Sequence, residues 1–133
     1  MFPFFKKKKE QPIAESPKEA ELSDLEKEEL QQLIVDLQQQ IRNQSLSESD
    51  RAKSYENLGL AFGRLGKTQE AIEHLEKSLV ILPSIDDGYK LLMSLYNKKR
   101  AEAARAGDDA GIEYYMNKMD EMRQIAKITT LKR

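Results

Sequence analysis

The stretch Tyr55-Glu56-Asn57-Leu58-Gly59-Leu60-Ala61-Phe62, with its continuation Leu65-Gly66-Lys67-Thr68 and Ala71-Ile72-Glu73-His74-Leu75, decides the fold. Tyr55, Leu58, Phe62 and Leu65 recur at spacings of three, four and three, which places them on one face of an α-helix. Ile72, Leu75, Leu79 and Leu82 repeat that spacing until Pro83, whose ring ends the element. Between the two stripes, Gly66 supplies a left-handed helix stop, and Thr68 reads as the N-cap oxygen of the second helix. The pattern is a helical hairpin.

The hairpin recurs. Tyr55-x-x-Leu58-x-x-x-Phe62 returns 34 residues later as Tyr89-x-x-Leu92-x-x-x-Tyr96, and Ile72-Glu73 returns 40 residues later as Ile112-Glu113. The second copy therefore carries about six extra residues, in a stretch from Lys98 to Gly107 whose Ala, Lys, Arg and Glu content favours a longer helix over a loop. A fourth helix is expected from about Asp108, with Ile112, Tyr115, Met119, Met122 and Ala126 inward and Met116 open between core and contact surface. Upstream, Ser23 and Glu26 make a capping-box pattern, and Leu30, Leu33, Ile34, Leu37 and Ile41 form the stripe of a leading amphipathic helix. Ser47 or Ser49 can cap the helix that follows. The expected organisation is all-α: a flexible Phe/Lys-rich lead over 1–21 containing Pro3, Pro12 and Pro17, the leading helix over 22–44, paired helices over 48–127, and a basic tail over 128–133.

Residues 52–85 resemble one unit of the tetratricopeptide repeat family. Tyr55 stands at its aromatic position, Leu58-Gly59 at its Leu-Gly, Phe62 at its Tyr, and Ala71, Leu75, Ser78 and Pro83 at the small, large, small and proline positions that follow. Residues 86 to about 125 form a degenerate second unit, with Met93 in place of the glycine, Gly111 of the alanine and Lys118 of the second small residue. The resemblance implies a short right-handed solenoid of two antiparallel hairpins, in which Gly59 and Ala71 let paired helices approach closely while Tyr55, Phe62 and Leu75 fill the space around them. About three such units are usually needed to bury the apolar faces, and the leading helix is expected to cover one end.

Composition narrows the chemistry. The chain has 133 residues, 22 Lys+Arg against 23 Asp+Glu, no Cys, no Trp and one histidine. Without cysteine there is no thiolate nucleophile or Cys-ligated metal, and His74 by itself cannot supply a two-imidazole zinc site. His74 lies off the Ile72, Leu75, Leu79 stripe and reads as solvated. Asp86, Asp87, Asp108 and Asp109 sit at helix starts, where capping accounts for them. Gly63-Arg64-Leu65-Gly66-Lys67-Thr68 echoes the end of a phosphate-binding loop but lacks its glycine spacing and its preceding strand. The expectation is a non-enzyme with no cofactor. No apolar run reaches membrane-spanning length, and the order Phe then Lys at the start is not that of a secretory signal, so a cytoplasmic location is expected, with peripheral contact at the inner membrane surface as the alternative. The net charge of −1 sums unlike parts, +3 over 1–10, −7 over 11–50 and +3 over 51–133. That distribution disfavours nucleic acid as partner, and a nucleic-acid role for Lys98, Lys99, Arg100 and Arg105 is a weaker third reading because no aromatic interleaving accompanies the charge.

What remains is binding. The resemblance implies a groove lined by the first helix of each hairpin, here Lys53, Glu56, Leu60, Gly63 and Arg64 from one and Asp87, Lys90, Ser94, Asn97 and Lys98 from the other. Glu56 and Leu60 replace the Lys and Asn of the family's clamp for C-terminal carboxylates, so a chaperone-tail receptor is disfavoured. The expected role is a protein-interaction adaptor or scaffold holding a peptide or a partner's helix. A second reading rests on Phe2, Phe4 and Phe5 beside Lys6, Lys7, Lys8 and Lys9, an apolar and basic unit suited to an anionic membrane surface or to a docking motif. Homodimerisation through the leading helix is a further alternative.

Overall fold

The computed structural model describes residues 21–131, which form five helices: α1 (Asp24–Ile41), α2 (Glu48–Arg64), α3 (Thr68–Ile81), α4 (Asp87–Arg105) and α5 (Asp109–Leu131). No strand occurs among the described residues. The Phe/Lys lead falls outside them.

Ser23 opens α1 with the expected reciprocal cap: its hydroxyl accepts from the Glu26 N–H at 3.1 Å, and its own N–H donates to Glu26 Oε1 at 2.9 Å. These bonds, the backbone one foremost, hold the Glu26 carboxyl below its ordinary pKa of 4.5. A lowered folded-state pKa means that the cap's stabilisation is complete above about pH 4.5 and is lost as pH falls through the folded-state value. NMR titration should show a depressed Glu26 midpoint that rises only partway in Ser23→Ala, which removes the hydroxyl and keeps the backbone N–H; a wild-type midpoint in the ordinary range would reject the cap as a source of the shift.

α1 buries Ile34 and Leu37, with Leu30 and Ile41 half-buried, against Leu58 and Ala61 of α2. Leu33 departs from the expected stripe and is 43% exposed. α1 packs chiefly on one neighbour, α2, and a single line of contact covers a narrower stripe than the sequence offers. Arg51 fixes the connection that follows, its guanidinium donating to the carbonyls of Ile41 at 2.6 Å and Asn43 at 2.9 Å, where α1 leaves its last acceptors unpaired.

Ser47 caps α2 through Asp50 N–H at 3.0 Å. At the other end Gly66 adopts φ +76°, the left-handed conformation that a Cβ disfavours, and Lys67 N–H closes the turn on Phe62 O at 2.9 Å. Thr68 is already helical and is not the N-cap. That place belongs to Lys67, which makes no side-chain capping bond. α2 and α3 approach closely because Gly59 faces Ala71 and Leu75: a Cβ on Gly59 would lie 2.5 Å from Leu75 Cγ and 3.2 Å from the Ala71 carbonyl oxygen. Ser78 ties the pair together, donating to the Ala52 carbonyl at 2.7 Å in a buried bond.

The extra residues of the second hairpin lengthen α4 to Arg105, and Gly107 at φ +70° turns the chain. Asp108 caps α5 by accepting from Gly111 N–H at 3.0 Å. The Tyr96 and Tyr115 rings meet at 6.1 Å, and the Tyr89 hydroxyl donates to the Met122 carbonyl at 2.9 Å, which sets an antiparallel register. Met122 is buried, Met119 half-buried and Met116 exposed. Residues 128–131, expected as part of a tail, continue α5. α4 also packs on α2 and α3, so Ala71, Ile72, Leu75 and Leu79 join Leu92, Leu95, Tyr96 and Met122 in one core.

Candidate functional site

The residues expected to line a groove lie on α2 and α4, and the structure sets these two helices side by side. Two contacts fix them. Leu91 of α4 lies over Gly63 of α2, close enough that a Cβ on Gly63 would come within 2.8 Å of Leu91 Cδ2. Farther toward the start of both helices, Glu56 Oε2 accepts from the buried Gly88 N–H at 2.7 Å. Its other oxygen, Oε1, meets Lys53 Nζ at 3.1 Å.

These contacts correct the expected lining at three positions. Glu56 is 5% exposed and fully engaged. It caps the N-terminus of α4 from another helix, a position where a carboxylate meets unpaired N–H groups and the positive end of the dipole. Asp86, the N-cap residue of α4, makes no side-chain capping bond, so Glu56 supplies what the local sequence leaves undone. Gly63 is covered by Leu91, and Leu60 is half-buried.

The other expected positions remain exposed: Lys53 and Arg64 on α2, and Asp87, Lys90, Ser94, Asn97 and Lys98 on α4. The Glu56 carboxylate raises the pKa of Lys53, through its hydrogen bond first and its charge second, and so holds the ammonium protonated. Asn97 Oδ1 accepts from Arg100 Nε at 3.1 Å. Arg64, Lys90 and Lys98 make no ion pair among the described residues. The strip therefore presents three cations without an ion pair, Arg64, Lys90 and Lys98, beside Lys53, whose charge Glu56 offsets and on which Asp86 and Asp87 also act.

Of the positions expected to pack the first hairpin, Leu58, Gly59, Ala71 and Leu75 are buried, Tyr55 and Phe62 half-buried, and Pro83 exposed after the end of α3. His74 is not simply solvated. Its ring lies 5.0 Å from that of Phe62, and its Nδ1 is 2.7 Å from the Glu70 carbonyl oxygen.

A second feature was not visible in the sequence. A hollow of about 350 Å³ lies between α3, α4 and α5, with Leu79, Val80, Leu92, Tyr96, Met122 and Ile125 as apolar lining and Glu76, Lys118 and Glu121 as its charges. The Tyr96 hydroxyl donates to Glu76 there, and burial together with that carboxylate pushes the phenol pKa well above its usual range. Val80 is 83% exposed beside it. No group of three metal-ligating side chains converges among the described residues. No family model, curated protein or solved structure matches this chain.

The alternative of a dimer through α1 would have to use Leu25, Leu33 and Val35, which are exposed, because Ile34 and Leu37 already pack on α2.

Proposed function

We propose that the chain is a non-enzymatic protein-interaction module of the tetratricopeptide type, holding a peptide or a partner's helix against the joined faces of α2 and α4. The observation that carries this reading is the side-by-side placement of α2 and α4, fixed by the Glu56–Gly88 and Gly63–Leu91 contacts, which leaves one exposed strip running across both hairpins. Arg64, Lys90 and Lys98, none of them in an ion pair among the described residues, outnumber Asp87 on that strip. Its complement is a segment rich in Asp and Glu, drawn in by long-range attraction and set in register by the individual pairs.

Charge reversal at positions without a structural bond tests it. Arg64→Glu, Lys90→Glu and Lys98→Glu combined should weaken binding of acidic helical peptides at least tenfold by fluorescence anisotropy, at unchanged thermal stability. Wild-type affinity should also fall steeply with added salt. Equal affinity of the triple variant and the wild type would reject the α2–α4 strip as the binding surface. Lys53 is left out of the combination because its reversal would set two carboxylates against each other at Glu56.

A further inference from the structure

The hollow between α3, α4 and α5 shares no residue with the α2–α4 strip, and its α5 wall belongs to a longer stripe. Tyr114, Lys118, Glu121, Ile125 and Ile128 follow one another at spacings of four, three, four and three. At 3.6 residues per turn they fall within about 80° of one another, on a single face of α5. α5 packs on α4, and α3 does not close over this face. Tyr114 is 52% and Ile128 51% exposed, Ile125 is half-buried, and Val80 stands out from α3 on the far side of the hollow. A different face of α5, with Tyr115, Met119 and Met122, already meets the core. A helix apolar on two sides calls for two neighbours, and the described residues supply one.

The charges on the stripe define the second neighbour. Glu76, across the hollow, is taken up by the Tyr96 hydroxyl. Lys118 and Glu121 stand 3.6 Å apart with side chains 28% and 67% exposed, so each keeps hydrogen-bonding capacity for a partner. A wholly acidic or wholly basic segment would satisfy one of them and be repelled by the other. A helix that carries the same two charges in antiparallel order satisfies both, and this chain's own α5 is such a helix. We infer that the chain forms a two-fold symmetric dimer in which the α5 stripes of two copies pair antiparallel over the hollow. With Lys118 of one copy level with Glu121 of the second copy, the reverse pair forms by symmetry. The same offset sets Tyr114 level with Ile125 of the second copy, again twice, so apolar meets apolar where charge meets opposite charge. A parallel arrangement would set Lys118 on Lys118 and Glu121 on Glu121. The second α5 also lies across the hollow and covers Val80. Tyr114 and Ile125 are about 17 Å apart along the helix, a short seam, and the expected association is reversible.

Sedimentation equilibrium of the full chain, over a concentration series reaching millimolar, tests the inference. The expected result is a monomer–dimer equilibrium. Lys118→Glu and Glu121→Lys, made in separate proteins, should each weaken dimerisation at least tenfold at the wild-type melting curve, since each sets like charges against each other at both pairs. Mixing the two variants should restore it, in a heterodimer whose acidic stripe meets a basic one. A folding defect does not predict that rescue. Tyr114→Ala, which changes no charge, should weaken dimerisation several-fold, and Leu33→Glu with Val35→Glu on α1 should leave it unchanged. A monomer at every concentration would overturn the proposal. So would a dimer that both charge variants retain, a mixture of the two that stays monomeric, or a dimer lost in the α1 variant.

Discussion

Gly59→Val is expected to lower the thermal unfolding midpoint by on the order of 10–15 °C, from a cost of about 3 kcal/mol in a domain of this size. A Cβ at this position would lie 2.5 Å from both Leu75 Cγ and Leu75 Cδ2, well inside van der Waals contact. Leu75 is 1% exposed and enclosed in the core with Ala71, Ile72 and Leu79. The third neighbour is the Ala71 carbonyl oxygen at 3.2 Å, part of the α3 backbone, which can move only if the whole helix does. Alanine is the informative intermediate. It favours a helix over glycine by about 1 kcal/mol, yet Gly59→Ala should still melt below the wild type, because the clash exceeds that gain. Gly66 gives the contrast. Its requirement is φ +76° with open space around it, so Gly66→Asn should be nearly neutral where Gly59→Asn is severe. Circular dichroism melts of these variants decide the matter. A Gly59→Ala protein that melts at or above the wild type would overturn the close-approach account of the first hairpin.

Loss of the Glu56 carboxylate should come next in size. Glu56→Ala leaves the buried Gly88 N–H without its 2.7 Å acceptor and Lys53 without its partner, at a cost of about 2–3 kcal/mol. Glu56→Gln keeps an oxygen acceptor but loses the charge that faces the α4 N-terminus, and about half that cost is expected. The location of the damage separates this variant from a general core defect. Hydrogen exchange at the Gly88 amide and its neighbours in the first turn of α4 should accelerate more than exchange in α2 or α3, because Glu56 joins the two hairpins and does not hold the first together. Uniform acceleration through the chain, or none at Gly88, would show that the carboxylate is not the cap. Gly88→Ala should resemble Glu56→Ala, since its Cβ would come within 2.7 Å of Glu56 Cγ.

Most helix boundaries were legible because their causes lie within a few residues. The Ser23 and Glu26 cap, the Ser47 cap and the left-handed Gly66 depend on spacings of one to four residues, and all three formed; the longer α4, read from repeat offsets of 34 and 40 residues, formed as well. Thr68 shows the limit of that reasoning. A suitable hydroxyl stood one residue inside the helix start, and the turn closed through Lys67 and Phe62 backbone atoms instead. Leu33 shows another limit, since the apolar stripe of α1 is wider than the single helix available to cover it. The candidate binding face was legible only in part. Lys53, Arg64, Lys90 and Lys98 were placed on it by the family resemblance, which set Glu56 among them as a lining residue, whereas Glu56 is buried.

The sequence by itself determined that the described chain is helical, where its hairpin turns fall, and most of the residues that face inward, Leu33 and Leu82 being exceptions, because these follow from local hydrogen bonding and a period of 3.6 residues. The tertiary structure decided what depends on register between helices. Glu56 becomes a cap only because Gly88, 32 residues away, is brought to it across the junction of two hairpins. Gly63 is half-buried because Leu91 lies over it, and the end of α5 runs past the start of α4 because the Tyr96–Tyr115 and Tyr89–Met122 contacts set that register. Periodicity is blind to such offsets, since sliding one helix along another leaves each helix's own pattern unchanged.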